Sequence, residues 1–137
     1  MKLFQTLGAA LLLAPLAAGA ADLRVTVSEG PATAATLYVA LFDTAEGFAA
    51  DKSVAAQITP LRNGTAQLAF FGLPAGRYVL KLFADENGNA KLDTNMMGLP
   101  TERYGFSNDA RGNFGPPSFD AAAIRVDSDI TTAVRLH

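Results

Sequence analysis

Short segments in which apolar side chains recur at every second position run through most of this chain. Leu23, Val25 and Val27 alternate with Arg24, Thr26 and Ser28. Ala66, Leu68 and Phe70 repeat the pattern, and so do Tyr78, Leu80 and Leu82 beside Arg77 and Lys81. A period of two sends alternate side chains to opposite faces of an extended strand, so these segments read as half-buried strands. Leu37, Val39 and Leu41 alternate with Tyr38, Ala40 and Phe42, which makes that strand apolar on both faces and places it centrally in a sheet. Gln57–Thr59 is a weaker strand, expected at an edge because Pro60 has no N–H to give to a ladder. Residues 122–126 and 132–136 form the last two strands, with Asp127-Ser128-Asp129 turning between them. Asn63-Gly64 and Leu73-Pro74-Ala75-Gly76 mark further turns. No sustained helical stripe follows Ala21, although residues 44–54 have room for a turn or two. The expected fold is all-β: a single antiparallel β-sandwich of about seven strands, with a long ordered insert before the last two.

Composition removes several kinds of chemistry. There is no Cys, and the one His is the terminal His137. A Ser-His-Asp or Cys-His nucleophile system has no imidazole within the fold to act as base. Zinc sites of Cys/His type, disulfides and thiolate-held clusters are excluded as well. What remains is oxygen chemistry from carboxylates, amides, hydroxyls and carbonyls.

The N-terminus reads as an address rather than as structure. Lys2 precedes a charge-free apolar run from Leu7 to Ala18, and Ala18-Gly19-Ala20 is a small-x-small site. These are the parts of a secretory signal peptide, so residues 1–20 are expected to be removed and residues 21–137 to form the domain. The apolar run is short for a bilayer and is interrupted by Pro15, and no membrane span is expected after cleavage. Loss of Lys2 leaves ten basic against thirteen acidic residues. That balance argues against nucleic-acid binding, which needs a basic footprint. The expected location is the periplasm or outside the cell, with an envelope protein or saccharide as partner.

Residues 85–119 break the strand rhythm. They hold five of the six Asn of the chain, together with Gly88, Gly98, Gly105, Gly112, Gly115, Pro100, Pro116 and Pro117. A loop of this length in a compact domain is usually functional or held by something. Met96, Met97, Leu99, Tyr104, Phe106, Phe114 and Phe119 read as apolar anchors that order it over one end of the sandwich.

Within the insert, Asp85-Glu86-Asn87-Gly88-Asn89-Ala90-Lys91-Leu92-Asp93 carries oxygen side chains at relative positions 1, 3, 5 and 9. A hard cation takes six to eight oxygens, and alternate residues of a tight turn can converge on one point. Asp85, Asn87, Asn89 and Asp93 would supply side chains and Lys91 its carbonyl, making calcium the candidate metal. The match to an EF-hand fails at position 6, which is Ala90 rather than Gly, and at position 12, which is Met96 rather than Glu. With two carboxylates, an affinity of about 10⁻⁴–10⁻³ M is expected, as in extracellular modules. The competing reading is an Asx-rich turn that satisfies its own backbone. Asp93 also has a second reading, as the N-cap of a short helical turn over residues 93–96.

Downstream, Glu102, Tyr104, Ser107 and Asn108 form a second polar cluster and the candidate ligand surface. In the competing reading Tyr104 and Phe106 plug the sandwich end, while Glu102 pairs with Arg103 or Arg111. Glu102 with Asp109 or Asp85 as acid and base would allow a carboxylate-based hydrolase or lyase acting on envelope saccharide. No catalytic residue is assigned, and the leading reading is a non-enzymatic binding or structural module.

The ordered motifs together carry a family likeness. They include Leu41-Phe42-Asp43 with Phe48, Leu73-Pro74-Ala75-Gly76-Arg77-Tyr78 and Asp85-Glu86-Asn87-Gly88-Asn89 with Leu92-Asp93-Thr94-Asn95. Gly98-Leu99-Pro100-Thr101-Glu102, Tyr104-Gly105-Phe106-Ser107-Asn108 and Gly115-Pro116-Pro117-Ser118-Phe119 follow. The chain resembles the bacterial exported family known as domain of unknown function 2141, and departs from it at Ala84, where the family often has His. The Leu-Pro-x-Gly-x-Tyr corner also resembles transthyretin-like and collagen-adhesin B-type modules. The resemblance implies a prealbumin- or Ig-like sandwich in the periplasm or outside the cell, and implies no activity.

Overall fold

The computed structural model describes residues 19–137. The expected signal peptide, residues 1–20, thus lies outside the described residues except for its last two. Eight strands form: β1 (Ala21–Ser28), β2 (Ala35–Phe42), β3 (Ala55–Leu61), β4 (Ala66–Leu73), β5 (Gly76–Asp85), β6 (Tyr104–Phe106), β7 (Ile124–Val126) and β8 (Ile130–Arg135). Among the described residues two short α-helices interrupt them, α1 (Ala45–Ala49) and α2 (Phe119–Ala122), capped by the side chains of Thr44 and Ser118.

The strands divide into two sheets that pack as a sandwich. One has three strands in the order β4-β1-β8. The other runs β3-β2-β5, and the far edge of β5 is shared by two short strands, with β7 along Gly76–Tyr78 and β6 along Lys81–Phe83. The inward alternation places Leu23, Val25 and Val27 against Leu37, Val39, Leu41, Leu80 and Leu82, all essentially without solvent contact. Burial of those side chains, about 1.5–3 kcal/mol each, is the main force holding the sheets together. β2 is central and β3 is an edge strand, as the alternation and Pro60 require.

Three features go beyond the alternating pattern. First, the sandwich is not wholly antiparallel, because β8 lies parallel to β1, Leu23 opposite Ile130 through Ser28 opposite Arg135. β7 pairs with β5 and β8 with β1, so Asp127-Ser128-Asp129 carries the chain between sheets and does not close a hairpin. Second, Asn63 and Gly64 have φ of +54° and +73°, the two left-handed residues of a tight hairpin turn, yet β3 and β4 diverge into different sheets. Third, Tyr78 Oη donates to the Pro74 carbonyl at 2.6 Å, closing the Leu73–Tyr78 corner on itself.

The outer face of the larger sheet is only partly covered. Phe42, Val79, Phe106 and Ala122 are buried there beneath Phe48 of α1 and Phe119 of α2. Phe48 meets Phe42, Phe106 and Phe119 edge-on at centroid distances of 5.3, 6.0 and 6.5 Å.

Candidate functional site

The insert begins where β5 ends. Asp85 lies on the outward-facing side of β5, but the chain folds back over it and leaves it 2 % exposed. Its two carboxylate oxygens accept from the Gly88 and Ala90 N–H groups at 3.0 and 2.8 Å. Asn87 and Asn89 then bond the backbone two residues on, at Asn89 and Lys91 (3.1 and 3.0 Å). Ala90 takes φ of +60° at the position where a calcium loop commonly has Gly. A residue with a Cβ is strained there, and the three Asx side chains hold it in place.

Asp93 closes the loop. Its carboxylate accepts from the Nδ2 groups of both Asn87 and Asn89, the second at 2.6 Å. Those bonds, that from Asn89 first, and nearby Lys91 hold the Asp93 carboxyl below its ordinary pKa. The four side chains named from the spacing, Asp85, Asn87, Asn89 and Asp93, therefore gather in one turn. Lys91 donates its N–H to Asn89 within that turn. Among the described residues no three His, Cys, Asp or Glu side chains come together as a metal-holding group. Any cation site here thus relies on amide and carbonyl oxygens beside the two carboxylates.

Glu102 is the clamp of the insert. It is 7 % exposed, and its oxygens accept from the Glu86 N–H at 2.7 Å and the Asp93 N–H at 3.1 Å. One carboxylate thus ties together both ends of the Asx turn. Its expected pairing with Arg103 or Arg111 does not form: Arg103 donates to the Glu29 carbonyl at 2.6 Å, and Arg111 reaches His137. Asp109 instead faces Arg135 at 3.3 Å. Nothing in the sequence spacing marks Glu102 as a clamp, because its two partners are backbone groups 16 and 9 residues away.

The other residues of the second cluster separate. Ser107 is fully buried, with Oγ accepting from the Leu80 N–H at 2.9 Å and donating to the Ala122 carbonyl at 2.6 Å. It fills the gap on the edge of β5 between β6 and β7, where the ladder would otherwise miss a bond. Tyr104 is half-buried beside Phe106. Asn108 is exposed, has φ of +60° and donates to the Ala121 carbonyl at 3.0 Å. Glu102 and Ser107 are turned inward, so the four do not share one open surface.

The apolar anchors divide similarly. Tyr104, Phe106 and Phe119 pack on the sheet, whereas Met96, Met97, Leu99 and Phe114 are exposed. Asn95 explains the first three: its Oδ1 accepts from the Met97 and Leu99 N–H groups and fixes a tight turn that directs these side chains to solvent. That turn takes the place of the helix expected after Asp93.

Fold and insert together define a β-sandwich module whose long connection is ordered by Asx side chains and one buried glutamate. The chain belongs to the family described as "Uncharacterized protein conserved in bacteria (DUF2141)", whose model matches residues 25–134. No curated protein and no solved structure matches it.

Proposed function

We propose that the chain is an exported, non-enzymatic binding module whose Asp85–Asp93 loop is ordered by calcium. The observation that carries this reading is one turn, left-handed at Ala90, in which Asn87 and Asn89 meet Asp93 while Asp85 accepts from the Gly88 and Ala90 N–H groups. Each carboxylate or amide oxygen there has a second lone pair beside the one that its N–H partner uses. Calcium would attract the two carboxylates, displace the amide N–H groups from Asp93, and draw the Lys91 carbonyl inward. Export follows from the charged end, apolar run and small-residue site of residues 1–20. The self-closed Leu73–Tyr78 corner supports a transthyretin-like or B-type character for the sandwich.

A non-enzymatic role fits Glu102, whose oxygens are each engaged by a backbone N–H, and Asp109, which faces Arg135. The carboxylate-based hydrolase or lyase would need two carboxyls free to face one cleft.

A metal-free reading also has its own observation, the donation from Asn87 and Asn89 to Asp93 that closes the loop without a cation. Thermal melting with and without calcium separates the two. A ligand at 100 times its Kd stabilises by about 2.7 kcal/mol. Calcium is expected to raise the Tm of the wild type and leave Asp93→Ala unchanged. Equal melting of the wild type in calcium and in chelator would leave the amide-closed loop as the correct account.

A further inference from the structure

The outer face of the larger sheet is covered at one end by α1 and α2 and at the other by the Asp85–Ala90 turn. Between them lies an open notch of about 250 Å³. Its floor is small, Ala40 on β2 beside Ala56 on β3, which are register partners. Its apolar wall is the next row of the sheet, where Ile58, Tyr38 and Phe83 stand side by side across three strands. Tyr38 and Phe83 stack at 5.0 Å with their rings 5° from parallel, and Ile58 is 64 % exposed. The opposite rim is polar: Lys81 Nζ meets the Asp51 carboxylate at 3.2 Å, and Ser53 lies beside them. Ala90 also lines it.

Each part of this arrangement restricts the occupant. An exposed Ile58 beside half-buried Tyr38 and Phe83 leaves apolar surface on the sheet face, which marks a site for an apolar group. The rim offers a donor and an acceptor together, and an entirely apolar occupant would desolvate them with nothing in return. The charges of Lys81 and Asp51 cancel, so neither an anion nor a cation is favoured. The two rings are packed on each other at 5.0 Å, which leaves no slot between them for a planar base. The volume lies below the roughly 300–1,000 Å³ of drug-sized pockets, which suits a single ring. A sugar ring has what the notch requires: an apolar C–H face for the wall, and adjacent hydroxyls that accept from the ammonium while donating to the carboxylate.

We propose that the notch formed by Tyr38, Phe83, Ala40, Ala56, Lys81 and Asp51 binds a neutral saccharide ring. This deepens the reading of an exported binding module by naming its ligand class, and it uses side chains apart from the Asp85–Asp93 oxygens. Ala56 is exposed and on an edge strand, so Ala56→Leu fills the floor without entering the core.

The test is amide NMR titration of the ¹⁵N-labelled protein with two neutral probes, a β-1,4-linked glucose tetramer and an N-acetylglucosamine tetramer. Adenosine monophosphate and tetra-alanine serve as controls, and every titration is run both in calcium and in chelator. Shifts are expected at Ala40, Ala56, Lys81 and Phe83, with a Kd of about 1 mM for at least one sugar. Ala56→Leu and Lys81→Met should each weaken binding about tenfold, a loss of about 1.4 kcal/mol. The proposal is overturned if neither sugar moves those amides, if Ala56→Leu binds as the wild type does, or if a control binds the notch as tightly. Sugar binding in chelator upholds the notch whatever calcium does to melting, and calcium stabilisation without sugar binding retires the notch alone.

Discussion

Replacing Ser107 by alanine removes a buried side chain that joins two interrupted ladders. Ser107 Oγ accepts from the Leu80 N–H at 2.9 Å and donates to the Ala122 carbonyl at 2.6 Å, and the residue has no solvent contact. In Ser107→Ala both backbone groups remain buried, and the methyl group offers neither a partner. A stranded buried group costs about 1–3 kcal/mol, so the pair should cost about 2–6 kcal/mol. Most of that range lies below the roughly 5–15 kcal/mol of a typical domain, so the variant should still fold. At about 3–5 °C per kcal/mol for a chain of this size, the Tm should fall by about 6–30 °C. Ser118→Ala provides the control: it deletes an exposed helix cap and should cost about 1 kcal/mol. Hydrogen exchange supplies the residue-level readout, because the Leu80 amide should lose protection more than its neighbours on β5. A Ser107→Ala variant within 0.5 kcal/mol of the wild type, with Leu80 still protected, would refute the staple role.

Two further outcomes concern the insert. Glu102→Gln leaves one acceptor for the two N–H groups of Glu86 and Asp93, and should destabilise the insert by about 2 kcal/mol, read as faster exchange at both amides. The second outcome follows from the lowered pKa of Asp93. The folded value lies below that of the unfolded chain, so the stabilising contribution is complete above about pH 3.9 and is lost as pH falls through the folded value. In calcium-free buffer, carboxyl NMR should show Asp93 titrating below that of a model aspartate, and Asn89→Ala should move it back upward.

The strands were readable because alternation is a local property. Leu23 to Val27, Leu37 to Leu41 and Tyr78 to Leu82 each state which face is buried without reference to any other segment. Pro60 similarly marks β3 as an edge through its own missing N–H. The Asx turn was readable for the same reason, since Asp85, Asn87 and Asn89 bond backbone groups two to five residues away. β6 was missed because its three residues are too few to show a period, and they form a strand only against β5. Met96 and Met97 defy their apolar character because the Asn95 turn points them outward, and hydrophobicity alone carries no sign of that turn.

The sequence alone thus determined the class of fold, the sandwich core and the position of the Asx turn, all of which depend on spacing along the chain. Tertiary structure decided the rest. It set β8 parallel to β1, divided the edge of β5 between β6 and β7, and gave Glu102 and Ser107 backbone partners 9 to 27 residues away. It also left Tyr38 and Phe83 half-buried beside an exposed Ile58, on a face that the pattern marked only as apolar. The physical reason is that burial is additive along a strand and can be read locally, whereas a buried polar group is satisfied only by whatever the fold brings beside it.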